Sequence, residues 1–184
     1  MTSKLSFKQK EEITAVIFAV VFIAIVVAWS IVVHYFTPVE ILSFIGVTNG
    51  YLIVLIGGFL GGVSLFFPFP NYLLVFTFGA AYLNPWLLGL IAALGIMIGE
   101  CTSYFVGHTS YSLLPKKWHT KIQKFKHWLV HKSSWFIYLL LFVVGTIPIP
   151  NDFLLVPLGL VRYPFWRIII PLALGNLLYN ILLA

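Results

Sequence analysis

Charge is what this sequence lacks most. Only 9 % of its 184 residues are Asp, Glu, Lys or Arg, against 61 % apolar, and the mean hydropathy is +1.03. A water-soluble domain of this length needs far more surface charge, so the composition places the chain in a membrane. Acids are scarcest: beyond the first forty residues only Glu100 and Asp152 remain. A single cysteine, Cys101, excludes an internal disulfide and a Cys-based metal cluster. Enzyme signatures are missing as well, with no Gly-rich phosphate loop, paired-His motif, Ser/His/Asp set or Cys pair. Catalysis is therefore not expected, nor is a cofactor or a metal ion. The net charge of +6 does not imply nucleic acid, because the lysines cluster beside apolar spans, where they report orientation.

What the chain has is long apolar runs and one broken motif written twice. Pro148-Ile149-Pro150-Asn151-Asp152 interrupts an apolar stretch, and two prolines a residue apart cannot sit inside one continuous helix. At a constant offset of 80, Pro68, Pro70, Asn71, Leu74, Gly79, Trp86, Ala93, Leu94 and Gly95 meet Pro148, Pro150, Asn151, Leu154, Gly159, Trp166, Ala173, Leu174 and Gly175. Nine identities in 28 ungapped positions, many of them Pro, Gly, Trp or Asn, point to an internal repeat rather than shared composition. Transporter folds are often built from such repeats, with the site where their broken helices meet.

In order, residues 1–49 form a polar tail with three lysines, an uncharged apolar run over 13–36 read as a retained anchor span, and a short connector with Glu40. Residues 50–184 form the remaining transmembrane domain. Its first repeat, 50–107, begins with an apolar run bearing paired glycines, breaks at Pro68/Pro70, and leaves about a dozen residues before Asn84-Pro85. A dozen helical residues rise roughly 18 Å, short of a hydrocarbon core of roughly 30 Å. Residues 51–83 thus read as a re-entrant helical hairpin, with a kinked span as the alternative. Residues 85–107 follow as a full span. Residues 114–133 hold six of the eleven Lys/Arg, with Trp118, Ile122, Phe125 and Leu129 on one stripe of a basic helix. That pattern suits an amphipathic helix lying on an anionic leaflet, its histidines solvated among lysines. The second repeat, 134–184, returns the hairpin and the span, the latter carrying Asn176 and Asn180.

If residues 1–12 are cytoplasmic, one assignment puts all eleven Lys/Arg on the cytoplasmic side, 108–133 included. The hairpins then enter from opposite faces. The expected fold is an all-α polytopic membrane protein: an inverted repeat of re-entrant hairpin plus transmembrane helix, preceded by one N-terminal transmembrane helix.

An ionised carboxylate near the bilayer centre costs about 2.5–3.5 kcal/mol on insertion scales, so Glu100 and Asp152 need a reason to be there. Either they form a proton relay on a translocation path, or they partner Arg or hairpin backbone. Glu100 falls past the middle of its helix, where it could face water. Asn71 and Asn151 either cap backbone freed by Pro68, Pro70, Pro148 and Pro150 or line that path. Arg162 and Arg167, flanking Pro164, read as snorkelling anchors or lipid-headgroup contacts.

Gly99-Glu100-x-x-x-Tyr104-x-x-Gly107, Ile147-Pro148-x-Pro150-Asn151 and Gly159-x-x-Arg162-Tyr163-Pro164 together resemble the DedA/SNARE-associated (VTT-domain) superfamily. The resemblance covers roughly residues 50–184. It implies two opposed re-entrant hairpins, each followed by a span, and a role in moving lipids between leaflets. Bacterial members are implicated in proton-gradient-dependent undecaprenyl-phosphate recycling, and eukaryotic members act as phospholipid scramblases. Glu100 matches the family's membrane acid and Arg162 its basic residue. Bacterial members commonly carry two arginines where this chain has Gly145 and Asn151, and Arg is the natural bidentate phosphate ligand. The expected function is lipid translocation of the flippase or scramblase type, with phospholipid or polyprenyl phosphate as substrate, in the plasma membrane. A proton- or ion-coupled transporter of a small polar solute and a non-transporting scaffold are the alternatives. The expected partners are membrane lipids; self-association is left open.

Overall fold

A computed structural model describes residues 7–63 and 69–184, all α among them apart from turns and one 3-10 turn, Tyr111–Leu113. The helices are α1 Phe7–Tyr35, α2 Pro38–Ile45, α3 Val47–Gly62, α4 Asn71–Ala80, α5 Pro85–Ser110, α6 Lys116–Val130, α7 Ser134–Gly145, α8 Asp152–Leu160 and α9 Phe165–Leu183. Segments of α1, α5 (with its 3-10 extension) and α9 are long and apolar enough to cross a membrane. Local chemistry sets the starts of two others. Thr37 and Glu40 close a capping box on α2, and Asn84 Oδ1 accepts from the N–H groups of Trp86 and Leu87 to cap α5.

The short helices pair as hairpins. Gly50 of α3 lies against Leu83, Gly57 against Leu74 and Gly61 against Asn71, so α3 and α4 run antiparallel. Helix α4, at 10 residues, rises only roughly 15 Å and cannot cross the bilayer. In the second hairpin α7 has 12 residues and α8 has 9, again half-spans. The re-entrant reading therefore holds over the kinked-span alternative. Pro68 lies outside the described residues.

The two repeats point in opposite directions. Gly89 near the start of α5 abuts Ile181 near the end of α9, whereas Phe105 stacks on Phe165 at the other end, centroids 5.5 Å apart. The two spans are antiparallel, so the hairpins beside them enter from opposite faces. Each hairpin also packs on the other repeat's span. Gly159 of α8 meets the Tyr104 carbonyl of α5, and Gly79 of α4 meets the Ala184 carbonyl after α9, the same pair displaced by 80 residues. Such reciprocal contacts are the signature of a two-fold relation, here internal to one chain.

That relation extends through the core. One cluster holds Leu42, Val54, Val75, Phe78, Leu88 and Ala92; the other holds Leu129, Leu141, Leu155, Leu158, Ile168 and Leu172. Residues from α4 onward match at 80. Leu42, Val54 and Gly58, however, match Leu129, Leu141 and Gly145 at 87, because Gly58 sits on Ala92 and Gly95 as Gly145 sits on Leu172 and Gly175. Repeat one thus has seven more residues, about two turns of helix, between this crossing and its tip. At both crossings glycine is required by proximity: a Cβ on Gly58 would lie 2.7 Å from the Ala92 oxygen, one on Gly145 2.6 Å from the Leu172 oxygen.

Even the corners repeat. Among the described residues, Tyr82 and Arg162 are the non-glycine residues with positive φ, at 66° and 55°. Each follows a short helix with the same bonding: Tyr82 N–H to Gly79 O and Leu83 N–H to Phe78 O, then Arg162 N–H to Gly159 O and Tyr163 N–H to Leu158 O. This is the left-handed Schellman stop.

Two expectations change. The connector 38–49 contains α2, which meets α3 at 103°, much as α6 meets α7 at 106°. Helix α2 is therefore the short counterpart of α6, and the repeat unit starts with an interfacial helix. The stripe on α6 also does not lie wholly on lipid. Ile122 and Leu129 are buried, and Phe125 packs, in the second core cluster, while Trp118 stays exposed. Ile122 and Leu129 share that cluster with Tyr104 of α5, Leu141 of α7 and Leu158 of α8.

Candidate functional site: two hairpin tips around a buried carboxylate

Both tips end at the middle of the spans. Tip one, represented by Phe69, Pro70 and Asn71, and tip two, Ile147 to Asn151, line one cavity of about 530 Å³ with Glu100 of α5 and Asn176 of α9. The prolines explain why the chain stops there: Pro148 and Pro150 cannot donate, so the helix cannot continue through them. Irregular backbone at this depth is tolerable where it lines a cavity, as both tips do here.

Glu100 is the centre of the arrangement. It is 1 % exposed, so it does not face open water as its position along the helix suggested. Asn151 Nδ2 donates to its Oε1, and Asn176 Nδ2 donates to Oε1 at 3.0 Å and Oε2 at 3.1 Å. Asn176 is held in turn from α9 itself, since Asn180 Nδ2 donates to the Asn176 carbonyl at 2.7 Å. The carboxylate thus ties tip two, α5 and α9 together through amides. Amide N–H groups can hold a carboxylate at depth without the larger desolvation penalty of a second buried ion.

Three of the four residues expected on the path converge here: Glu100, Asn71 and Asn151 line the cavity. Asp152 is buried but not among the lining residues; it occupies the first turn of α8, where a helix N-terminus favours negative charge. Pro70, Pro148 and Pro150 line the cavity as hairpin breakers. Arg162 and Arg167 do not reach it. Arg162 is exposed over the Tyr111 ring, 5.7 Å from its centroid and roughly 16 Å along the α5 axis from Glu100. Arg167 lines a separate apolar groove between α7 and α9.

Sequence reading passed over Asn176 as a binding residue, although Asn176 and Asn180 at i, i+4 in an apolar span were a usable signal. Polar side chains within spans face the bundle interior and seek partners. The aromatic walls, Phe22, Tyr72 and Tyr179 with Phe69, had no signal in a chain so rich in aromatics. Among the described residues no group of three His, Cys, Asp or Glu could hold a metal.

Residues 69–184 match the family model of the VTT domain, the DedA/SNARE-associated domain. The chain belongs to the VTT-domain family. The match starts at tip one and takes in both tips, Glu100 and Asn176, so the site lies wholly within the family domain apart from Gly61, Gly62 and Phe22. No curated protein and no solved structure matches the chain. It is an integral membrane protein of this family.

Proposed function

We propose that this VTT-domain protein translocates lipid between leaflets, its headgroup passing between the two tips while the tails stay in the bilayer. The observation that carries this is the shared cavity: two half-membrane hairpins entering from opposite faces meet at one polar site around Glu100. A mostly apolar cavity with a polar centre, flanked by exposed apolar helices, suits a molecule with one polar end. The protein acts as a transporter and not as an enzyme. Its α1 start and α6 face the cytoplasm, with the lysines of α6 against an anionic leaflet of the plasma membrane.

Purified protein in liposomes carrying a fluorescent phospholipid, treated with external dithionite, tests this. Wild type bleaches beyond the outer-leaflet half, and Glu100→Gln bleaches only that half. Bleaching limited to the outer half by wild type, with or without a pH gradient, would refute the proposal. Dependence on the gradient would mark coupled flipping rather than passive scrambling.

A further inference from the structure

The cavity has an electrostatic character that selects among headgroups. The backbone donors of tip two are already committed. In tip two the Thr146 N–H bonds to Phe142 O and Val143 O, Ile147 N–H to Val144 O, and Ile149 N–H to Ile147 O, while Pro148 and Pro150 have none. From Thr146 to Pro150, then, no backbone donor is left for an anion. The side-chain donors of Asn151 and Asn176 are turned onto Glu100. Among the described residues, no Lys, Arg or His lines the cavity.

Acceptors are left over instead. Asn151 is 8 % exposed, and its Oδ1 is buried with no hydrogen-bond partner among the described residues. An unmatched buried amide oxygen is costly unless a donor arrives. Beside it sits the Glu100 carboxylate. Phe22, Phe69, Tyr72 and Tyr179 add aromatic walls from three elements and tip one. A carboxylate, a free amide carbonyl and aromatic rings together form the kind of surface that holds an alkylammonium, through charge, hydrogen bonding and cation–π attraction. Asn71 Nδ2, a neutral donor without a partner among the described residues, stands on the opposite tip. It can meet the phosphate ester oxygen that follows the ammonium group in an aminophospholipid.

We propose that the cavity is an alkylammonium site that receives the ethanolamine-type end of an aminophospholipid and discriminates against headgroups that carry only phosphate. The lipid as source of the ammonium rests on the translocation reading above; the ammonium selectivity does not.

Binding to the purified full chain in detergent, followed by intrinsic fluorescence, tests the selectivity. The probes are dihexanoyl phosphatidylethanolamine, dihexanoyl phosphatidylglycerol and free ethanolamine. The ethanolamine lipid should bind about tenfold or more tighter than the glycerol lipid, the scale expected of one desolvated cation–π and carboxylate contact. Glu100→Gln and, independently, Tyr179→Leu should each reduce that preference in protein that still elutes as one folded species. Using two variants keeps the test valid should Glu100→Gln fail to fold. Free ethanolamine competing as well as the lipid would keep the ammonium site but overturn the lipid as its source. Equal affinity for the two lipids, or preference for the glycerol lipid, would overturn the site. Translocation without preference would sink this inference alone, whereas preference without translocation would sink only the function proposed above.

Discussion

Repeat one and repeat two share a backbone plan but differ where it matters. Glu100 in α5 corresponds to Asn180 in α9, and Ile96 corresponds to Asn176, so the acid stands on one span and its principal amide on the other. The tips differ accordingly. Tip two is latched, with Asn151 bonded to Glu100. The matching pair across the internal two-fold, Asn71 Nδ2 and Asn180 Oδ1, are both buried and both without a partner among the described residues. An inverted repeat thus supplies two docking points, and sequence divergence makes one of them strong. The lesson is that the symmetry builds the site and its breaking gives the site a charge.

The largest effect is expected where the two repeats use the same crossing. Gly175→Leu would drive a side chain into Gly145, and the overpacking should cost about 3 kcal/mol or more. Loss of a monodisperse elution peak checks it; a wild-type melting temperature would mean the α7–α9 contact is looser than described.

Next comes the amide that repeat one lacks. Asn176→Ile, which copies Ile96, removes both bonds from Asn176 to Glu100 and should destabilise the protein by about 2–4 kcal/mol, since hydrogen bonds to buried charge are the costly ones to lose. The converse change, Ile96→Asn, touches no such bond and should cost less. Thermal unfolding of the two variants side by side would sharpen the comparison, and equal costs would break it.

A third test exchanges the halves. Glu100→Asn should abolish lipid translocation as Glu100→Gln does, and adding Asn180→Glu should recover part of it by placing the acid opposite tip one. No recovery in the double variant would mean that the two docking points are not interchangeable. The smallest effect concerns α1, which lies outside the repeat. Trp29 Nε1 donates to Thr77 Oγ1 at 3.0 Å, and Trp29→Phe should cost only about 0.6 kcal/mol, typical of a hydrogen bond between membrane helices. Unchanged translocation with a slight drop in melting temperature is the expected result.

Most of this architecture was legible in the sequence because prolines and glycines report backbone geometry directly. Pro148-x-Pro150-Asn151 and its earlier copy marked both tips, and the offset of 80 carried the repeat up to Gly175. What stayed hidden were features that depend on tertiary packing. The seven-residue shift upstream of tip one leaves no mark in an apolar run, since any Leu can align with any other. The same lack of contrast hides α2, whose Leu42 is buried as Leu129 is. Glu100 and Asn151 were visible as polar residues at depth, but which amide faces the acid depends on how α9 crosses α5. Asn176 could be seen, though not its partner.

The inversion itself is open to one direct measurement. Tyr82 and Arg162 occupy matching corners and are both exposed, Tyr82 at 89 %. Tyr82→Cys and Arg162→Cys, each in a Cys101→Ser background, would be probed with a membrane-impermeant maleimide in vesicles of one orientation. Labelling of Tyr82→Cys from one face and Arg162→Cys only from the other is the predicted result. Labelling of both from the same face would contradict the inverted repeat and the meeting of the tips built on it.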